Sequence, residues 1–267
     1  MLKVEHYHTE TAHWLIRQFE SFRFTEPLLV EKFIPRPDIS LVFHFKDVPQ
    51  IREEPPVQLE PFFVAPIVSR SIVLDFHGTM DTFVVICKPA VLSRIFGLDL
   101  SLLRKHGVEL PYNTFYPIWE AMSVLQTAGE RIEYFTDFIN QTQKTPYCPD
   151  EVDLLYDQIL EKGSKTLLKD FMHDCCASQR TLERKFIKRI GVNPKTLMRI
   201  VRLDYLWTRI QNENAIDFQG LTFDGNYFDQ SHFISDFKTI IGETPGFFFN
   251  RNQDLAKMFS GRKEGSV

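Results

Sequence analysis

Between Ser178 and Ile210 the chain places nine basic residues, Arg180, Arg184, Lys185, Lys188, Arg189, Lys195, Arg199, Arg202 and Arg209, against two acidic ones, Glu183 and Asp204. Such groups neutralise phosphates. On a helix that enters a major groove, arginine can also bond guanine O6 and N7 together, and glutamine can read adenine. Nucleic-acid recognition is the chemistry this stretch offers, and a solvated basic face on an ordinary core helix is the competing reading. His6, His8, His13, His44 and His77 invite a metal site. No His-x-His pair is followed by an acidic residue on a strand, however, so no metal and no other cofactor is expected. His44, between Phe43 and Phe45, fits an outward-facing or hydrogen-bonded strand position, and His6 and His8 sit at a mobile-looking terminus. Cys175 and Cys176 are adjacent and cannot make a Cys-x-x-Cys site. With Cys87 and Cys148 they form no disulfide framework, which suits a reducing compartment.

The chain as a whole, 267 residues at net charge -4, argues against a nucleic-acid partner until its charge is divided. Residues 1–162 hold 15 Lys and Arg against 23 Asp and Glu, a net of -8, and residues 163–267 hold 16 against 12, a net of +4. With 43% hydrophobic and 25% charged residues the composition is globular. No apolar run approaches the ~18 residues of a membrane span. The first thirty residues are charged throughout and lack the apolar centre of a signal peptide, so a cytoplasmic protein away from membranes is expected.

The elements that would carry the basic stretch are helical. Ser164–His173 has apolar residues at Leu167, Leu168, Phe171 and Met172, a turn runs through Cys175-Cys176-Ala177, and Ser178 is a good N-cap for a helix to Ile190. That second helix buries Leu182, Phe186 and Ile190 and leaves Gln179, Arg180, Arg184, Lys185 and Lys188 on other faces, the proportions of a helix-turn-helix. Pro194–Gln211 reads as a long connecting helix. A second unit follows, Ile216–Asp224 and Tyr227–Ile241, with Phe228, Phe233, Phe237 and Ile241 as an apolar seam widened by Ile234 and Ile240. Asp229, Gln230, Ser231, His232 and Lys238 are left to face outward or cap. Two such helices on one rigid spacer would enter successive major-groove segments, about 34 Å apart.

Residues 1–145 read mostly as short strands followed by helices. Ile39–Phe45, Phe62–Ala65, Ser71–Phe76 and Thr82–Cys87 are strands, the last two forming a hairpin through His77-Gly-Thr. Pro89–Phe96 is a helix, and Tyr116–Gln141 is one broken near Ala128-Gly129. Thr145-Pro-Tyr-Cys-Pro149 reads as a linker. Phe62-Phe63 and Phe247-Phe-Phe249 could line an apolar pocket, but core packing is the ordinary use of phenylalanine.

Arg180-Thr-Leu-Glu-Arg-Lys-Phe, Gly191-Val-Asn-Pro-Lys, Arg202-Leu, Tyr227-Phe-Asp-Gln-Ser-His-Phe, Phe237-Lys and Gly242-Glu-Thr-Pro-Gly together resemble the AraC/XylS family of bacterial transcription regulators, over about residues 150–250. The resemblance implies two helix-turn-helix units whose base-reading positions fall on Gln179, Arg180 and Arg184 in the first and Asp229, Gln230 and His232 in the second; Ser178, Lys185, Lys188 and Lys238 complete the expected DNA-binding set. The sequence departs from the family pattern at Gly220-Leu-Thr-Phe-Asp-Gly-Asn226, where two glycines at ~1 kcal/mol each weaken the helix, so the second unit is expected to contribute less.

The resulting expectation is an α+β protein: a β-rich, cupin-like sensor or dimerisation domain over residues 1–145, with accessory helices, and an all-α double helix-turn-helix domain over residues 150–255. Double-stranded DNA is the expected partner. A small-molecule effector, RNA polymerase and a second copy are further candidates, with activation the expected sense of regulation and no catalytic residues. The alternative is a cupin-like enzyme or ligand-binding protein with a vestigial helical domain.

Overall fold

The computed structural model describes residues 3–8, 13–102, 107–143, 146–162, 178–210, 220, 222–223, 225 and 227–249. The expected helices Ser164–His173 and Ile216–Asp224 and the turn at Cys175–Ala177 therefore lie outside the described residues, wholly or in large part. Seven antiparallel strands come first: β1 (Lys3–His8), β2 (Ile16–Phe33), β3 (Ile39–His44), β4 (Gln50–Ile51), β5 (Val57–Gln58), β6 (Phe62–Ala65) and β7 (Ile72–Cys87). The sheet order is β1-β2-β7-β3-β6, with β4 pairing both β5 and β7. Helices follow: α1 (Pro89–Ile95), a 3-10 turn (Leu100–Leu102), α2 (Tyr112–Ser123), α3 (Ala128–Thr142), α4 (Glu151–Lys162), α5 (Gln179–Ile190), α6 (Pro194–Ile210), α7 (Gln230–Ile241) and α8 (Pro245–Phe249). An antiparallel β half and a helical half together make the α+β class.

The expected hairpin at His77-Gly-Thr does not form. Ile72–Cys87 is one continuous strand, paired with β2 from Ile16 to Phe33. The glycine marks a bend instead of a reversal. Gly78, at φ 80°, lies opposite Glu26 beside the register shift between Glu26 and Leu29, and the Asp47 carboxylate accepts from Thr79 N at 2.8 Å. A glycine inside a strand is as much the sign of a bulge or bend as of a turn. The bend lets β2 and β7 serve two sheet regions, one pairing β1 and β3 and the other pairing β4. Nor is the N-terminal pair of histidines loose: His6 and His8 lie on β1, paired with Glu20 and Gln18 of β2.

Alternation sorts the side chains of these strands onto two faces. One face, with Phe22, Phe24, Val42, Phe63, Leu74, Phe76, Val84 and Ile86, encloses an apolar interior. The other, with Phe19, Leu41, Phe43, Phe83 and Val85, is covered by helices. Arg131 of α3 fixes that cover. It is 1% exposed, lies 4.0 Å over the Phe45 ring, and binds both oxygens of Asp81 at 2.7 and 3.0 Å. Burial works against the Asp81 charge, but Arg131 and Arg23 outweigh it and hold the carboxyl below its ordinary range. Two polar groups share the apolar interior. Burial depresses His44 to about 4, so the ring is neutral at physiological pH, hydrogen-bonded to Thr82 Oγ1 at 2.9 Å. Glu31 pairs with Leu74 and so points the same way, and burial raises its carboxyl to about 7.

The covered face does not end with the sheet half. Val152, Leu155, Tyr156 and Ile159 of α4, Leu182, Phe186 and Ile190 of α5, and Leu197, Met198, Ile200 and Val201 of α6 are buried in the same cluster as Phe83, Ala90 and Leu92. A separate cluster, Leu203, Leu206, Tyr227, Phe233, Phe237, Ile240 and Ile241, joins the end of α6 to α7. The stretch read as a linker is itself packed: Tyr147 stacks 6.0 Å from Trp14 and bonds Asp153 at 2.7 Å. Arg189 of α5 closes the joint. It donates to Ala90 O at 2.8 Å, pairs with Asp153 at 3.2 Å, and pairs with Asp150.

Two outcomes are expected. Glu31→Gln removes a carboxyl that must either ionise in an apolar interior or stay protonated. The native form is favoured below the unfolded carboxylate range and loses stability as pH rises toward and past 7. The variant should therefore gain about 1 kcal/mol at pH 8, after allowance for screening, and almost nothing at pH 4, as read by urea denaturation at the two values. Arg189→Leu should cost about 2–3 kcal/mol by the same measurement, because it removes the nearest cation from Asp150 and Asp153, leaving them the more distant Arg94, and takes the Arg189 donor from the Ala90 carbonyl. An unchanged midpoint would show that the joint does not depend on it.

Candidate nucleic-acid interface

Helix α5 starts and stops where its sequence dictates. Ser178, with extended backbone, accepts from Thr181 N at 3.3 Å as the N-cap, and Gly191, at φ 92°, ends the helix in the left-handed conformation that glycine adopts at no steric cost. Leu182, Phe186 and Ile190 recur at four-residue spacing on the buried side. Arg180, Arg184 and Lys188, equally spaced, form an exposed stripe on another side. Neither Arg180 nor Arg184 has an ion-pair partner among the described residues, which leaves two guanidinium forks free for a ligand. Lys185 is also exposed but pairs with Glu151 at 2.5 Å, and Lys188 lies 4.0 Å from Asp99, next to the 3-10 turn. The side chain of Gln179 lies outside the described residues.

The basic stretch is not a uniform docking surface. Arg189 is spent on Asp150 and Asp153, Arg199 of α6 on Asp236 of α7 at 2.5 Å, and Arg202 lies 4.8 Å over the Tyr227 ring. Arg189, Arg199 and Arg202 thus join Lys185, on Glu151 of α4, in holding the helical part together. Sequence reasoning missed this use, although the buried Asp236 on the facing helix is the signal that could have found it.

Helix α7 begins at Gln230, three residues later than the expected Tyr227. Asp229 is its N-cap, accepting from His232 N at 2.7 Å, and Gly242, at φ 87°, ends it. Gln230, Ser231, His232, Ser235, Lys238 and Thr239 are exposed. The expected seam holds for Phe233, Phe237, Ile240 and Ile241 but not for Phe228, which is 92% exposed. Its place is taken by Tyr227, buried 5.3 Å from Phe233 with its hydroxyl on Asp236 at 3.1 Å. Gly225 lets that ring in: a Cβ there would lie 2.7 Å from Tyr227.

The C-terminal end of α7 meets the sheet half. Ser71 N donates to Ile240 O at 2.8 Å, Ser71 Oγ donates to Ile241 O at 2.8 Å, and Lys32 Nζ donates to Ile241 O at 3.3 Å and pairs with Glu243. These are groups a helix end leaves unsatisfied, and a basic side chain at that end also suits the helix dipole.

No curated protein sequence matches the chain. Among solved structures, ToxT from Vibrio cholerae in its P21 form aligns at TM-score 0.46 and 10% identity, covering 93% of this chain and 98% of that one. Wild-type ToxT with a bound unsaturated fatty acid aligns at 0.47 and 10% identity, covering 92% and 98%. A family model described as a helix-turn-helix domain matches residues 173–251. That span takes in α5, the connecting α6 and α7, with both capped helices and their exposed polar sides, so the C-terminal part of this chain is a helix-turn-helix domain.

Proposed function

We propose that the protein is a transcription regulator that binds duplex DNA sequence-specifically, with α5 in one major-groove segment and α7 in a neighbouring one. The observation that carries this reading is the free Arg180 and Arg184 pair on the exposed side of a capped helix inside the matched domain. Arginine is the commonest specific partner of guanine in the major groove, and the flanking lysines add phosphate affinity without sequence preference. The spacer has a suitable length: α6, at 17 residues, is about 25 Å long, and the widths of the helices at its ends bring the span to the order of the 34 Å groove repeat. Within this reading Gln179, Gln230 and His232 are base-edge candidates and Lys185, Lys188 and Lys238 phosphate candidates, while Ser178 and Asp229 position the helices by capping them.

The sheet half is read as the part that senses a small molecule. A cavity of about 430 Å³, bordered by Arg23, Phe24, Lys46, Met80, Asp81 and Arg131, falls in the ordinary size range of ligand sites and mixes apolar walls with a few charged groups. The reading carries a cytoplasmic setting and, as in the family its motifs resemble, contact with RNA polymerase and a second copy. No helix among the described residues is long and apolar enough to cross a membrane. The protein acts by binding rather than catalysis.

Fluorescence anisotropy with a duplex selected from a random pool, at 50 and 200 mM salt, tests the proposal. Affinity should fall steeply with salt, as it does when several phosphates are neutralised. Arg180→Ala and Arg184→Ala should each lose about 1–3 kcal/mol of binding and relax preference at one position, with melting temperature unchanged because neither lies on the apolar side. Binding that ignores salt, or both variants at wild-type affinity, would refute this assignment.

A further inference from the structure

Phe228 stands immediately before the N-cap of α7 and is 92% exposed. The residue before an N-cap commonly packs against the fourth residue of the helix, here Phe233. Tyr227 has taken that seat: it is buried against Phe233, bonded to Asp236 and stacked on by Arg202. No described residue packs on the Phe228 ring, which is 92% exposed. It sits instead at the end of the helix that, in a helix-turn-helix, meets the base edges. The exposed residues that follow, Gln230, Ser231 and His232, are polar, and the Asp229 carboxylate beside them is engaged with His232 N.

We infer that Phe228 is a specificity-determining residue that recognises the 5-methyl group of thymine in the groove segment entered by α7. This rests on the duplex-binding reading above and names what that site selects. A phenyl ring has no charge and no hydrogen-bond donor, so it gains nothing from a phosphate and nothing from cytosine, guanine or adenine edges. The thymine methyl is the one apolar group the major groove presents, and phenylalanine is among the side chains that contact it. The contribution is therefore sequence-dependent and independent of salt. It also gives the second unit a way to select bases without an arginine, which its exposed side lacks among the described residues.

Binding sites selected from a random duplex pool by the full chain, by Phe228→Ala and by Phe228→Leu supply the test. The wild type should enrich thymine at a position in one half-site, the leucine variant should keep part of that preference, and the alanine variant should lose it. Replacing that thymine by deoxyuridine removes only the methyl. It should weaken wild-type binding about fourfold, the worth of one buried methyl, and leave the alanine variant unaffected. The slope of affinity against salt should be the same for both proteins. An alanine variant that keeps the thymine preference, or an equal loss with deoxyuridine in both proteins, overturns the inference. A pool that the wild type fails to enrich overturns the duplex-binding reading itself, whereas an enriched pool indifferent to Phe228 overturns this contact alone. A thermal melt that matches wild type verifies that the alanine chain is folded.

Discussion

Helix α5 has to be core and surface at once. Leu182, Phe186 and Ile190 on one side of α5 are wholly buried, in a cluster that runs without a break from the sheet through α1 to α4 and α6. A helix buried so deeply has no freedom to rotate, since interiors are packed as densely as organic crystals. The orientation of Arg180 and Arg184 is therefore set by packing that reaches back into the sheet half. Arg189 reinforces the constraint from a third side, joining Ala90 of α1 to the two aspartates at the start of α4. The two halves differ in chain composition and charge, but α5 belongs to both.

Charge is organised in the same divided way. The acidic excess of residues 1–162 is not spread idly over a surface: Asp99 and Glu151 reach Lys188 and Lys185, and Asp150 and Asp153 hold Arg189. For the DNA-binding role proposed above, carboxylates beside the exposed basic side of α5 would restrain its affinity for any polyanion, so that what remains would depend more on base contacts. The second unit reaches a similar balance by other means, with one basic residue, Lys238, near the end of α7 and polar or aromatic groups at its start.

Much of the candidate site was legible in the sequence because helix ends are written locally. Ser178, Gly191 and Gly242 set three of the limits of α5 and α7 by capping chemistry that involves only neighbours along the chain, whereas the start at the Asp229 cap was missed because Phe228 continues the apolar spacing ahead of it. The apolar spacing of Leu182, Phe186 and Ile190 likewise gave the buried side. What could not be read depended on distant partners. Gly78 looked like a hairpin because glycine serves bends and turns alike, and only the pairing of β7 with the whole of β2 distinguishes them. Phe228 looked like core because its spacing fits the seam, and only Tyr227, anchored by Asp236 and Arg202, excludes it. Arg131, a charged residue on the buried side of α3, could be recognised as structural only once Asp81 and Phe45 lay against it.

The bonds from Lys32 and Ser71 to the last turn of α7 give that helix a pivot. Twelve residues make it about 18 Å long, so the sheet grips one end of it and the residues proposed to meet DNA stand at the other. A tilt of about 10° at the pivot moves the far end by about 3 Å, close to the 3.4 Å rise of one base step. On the proposed reading, a small displacement where β2 ends would be magnified into the distance that separates one base pair from the next.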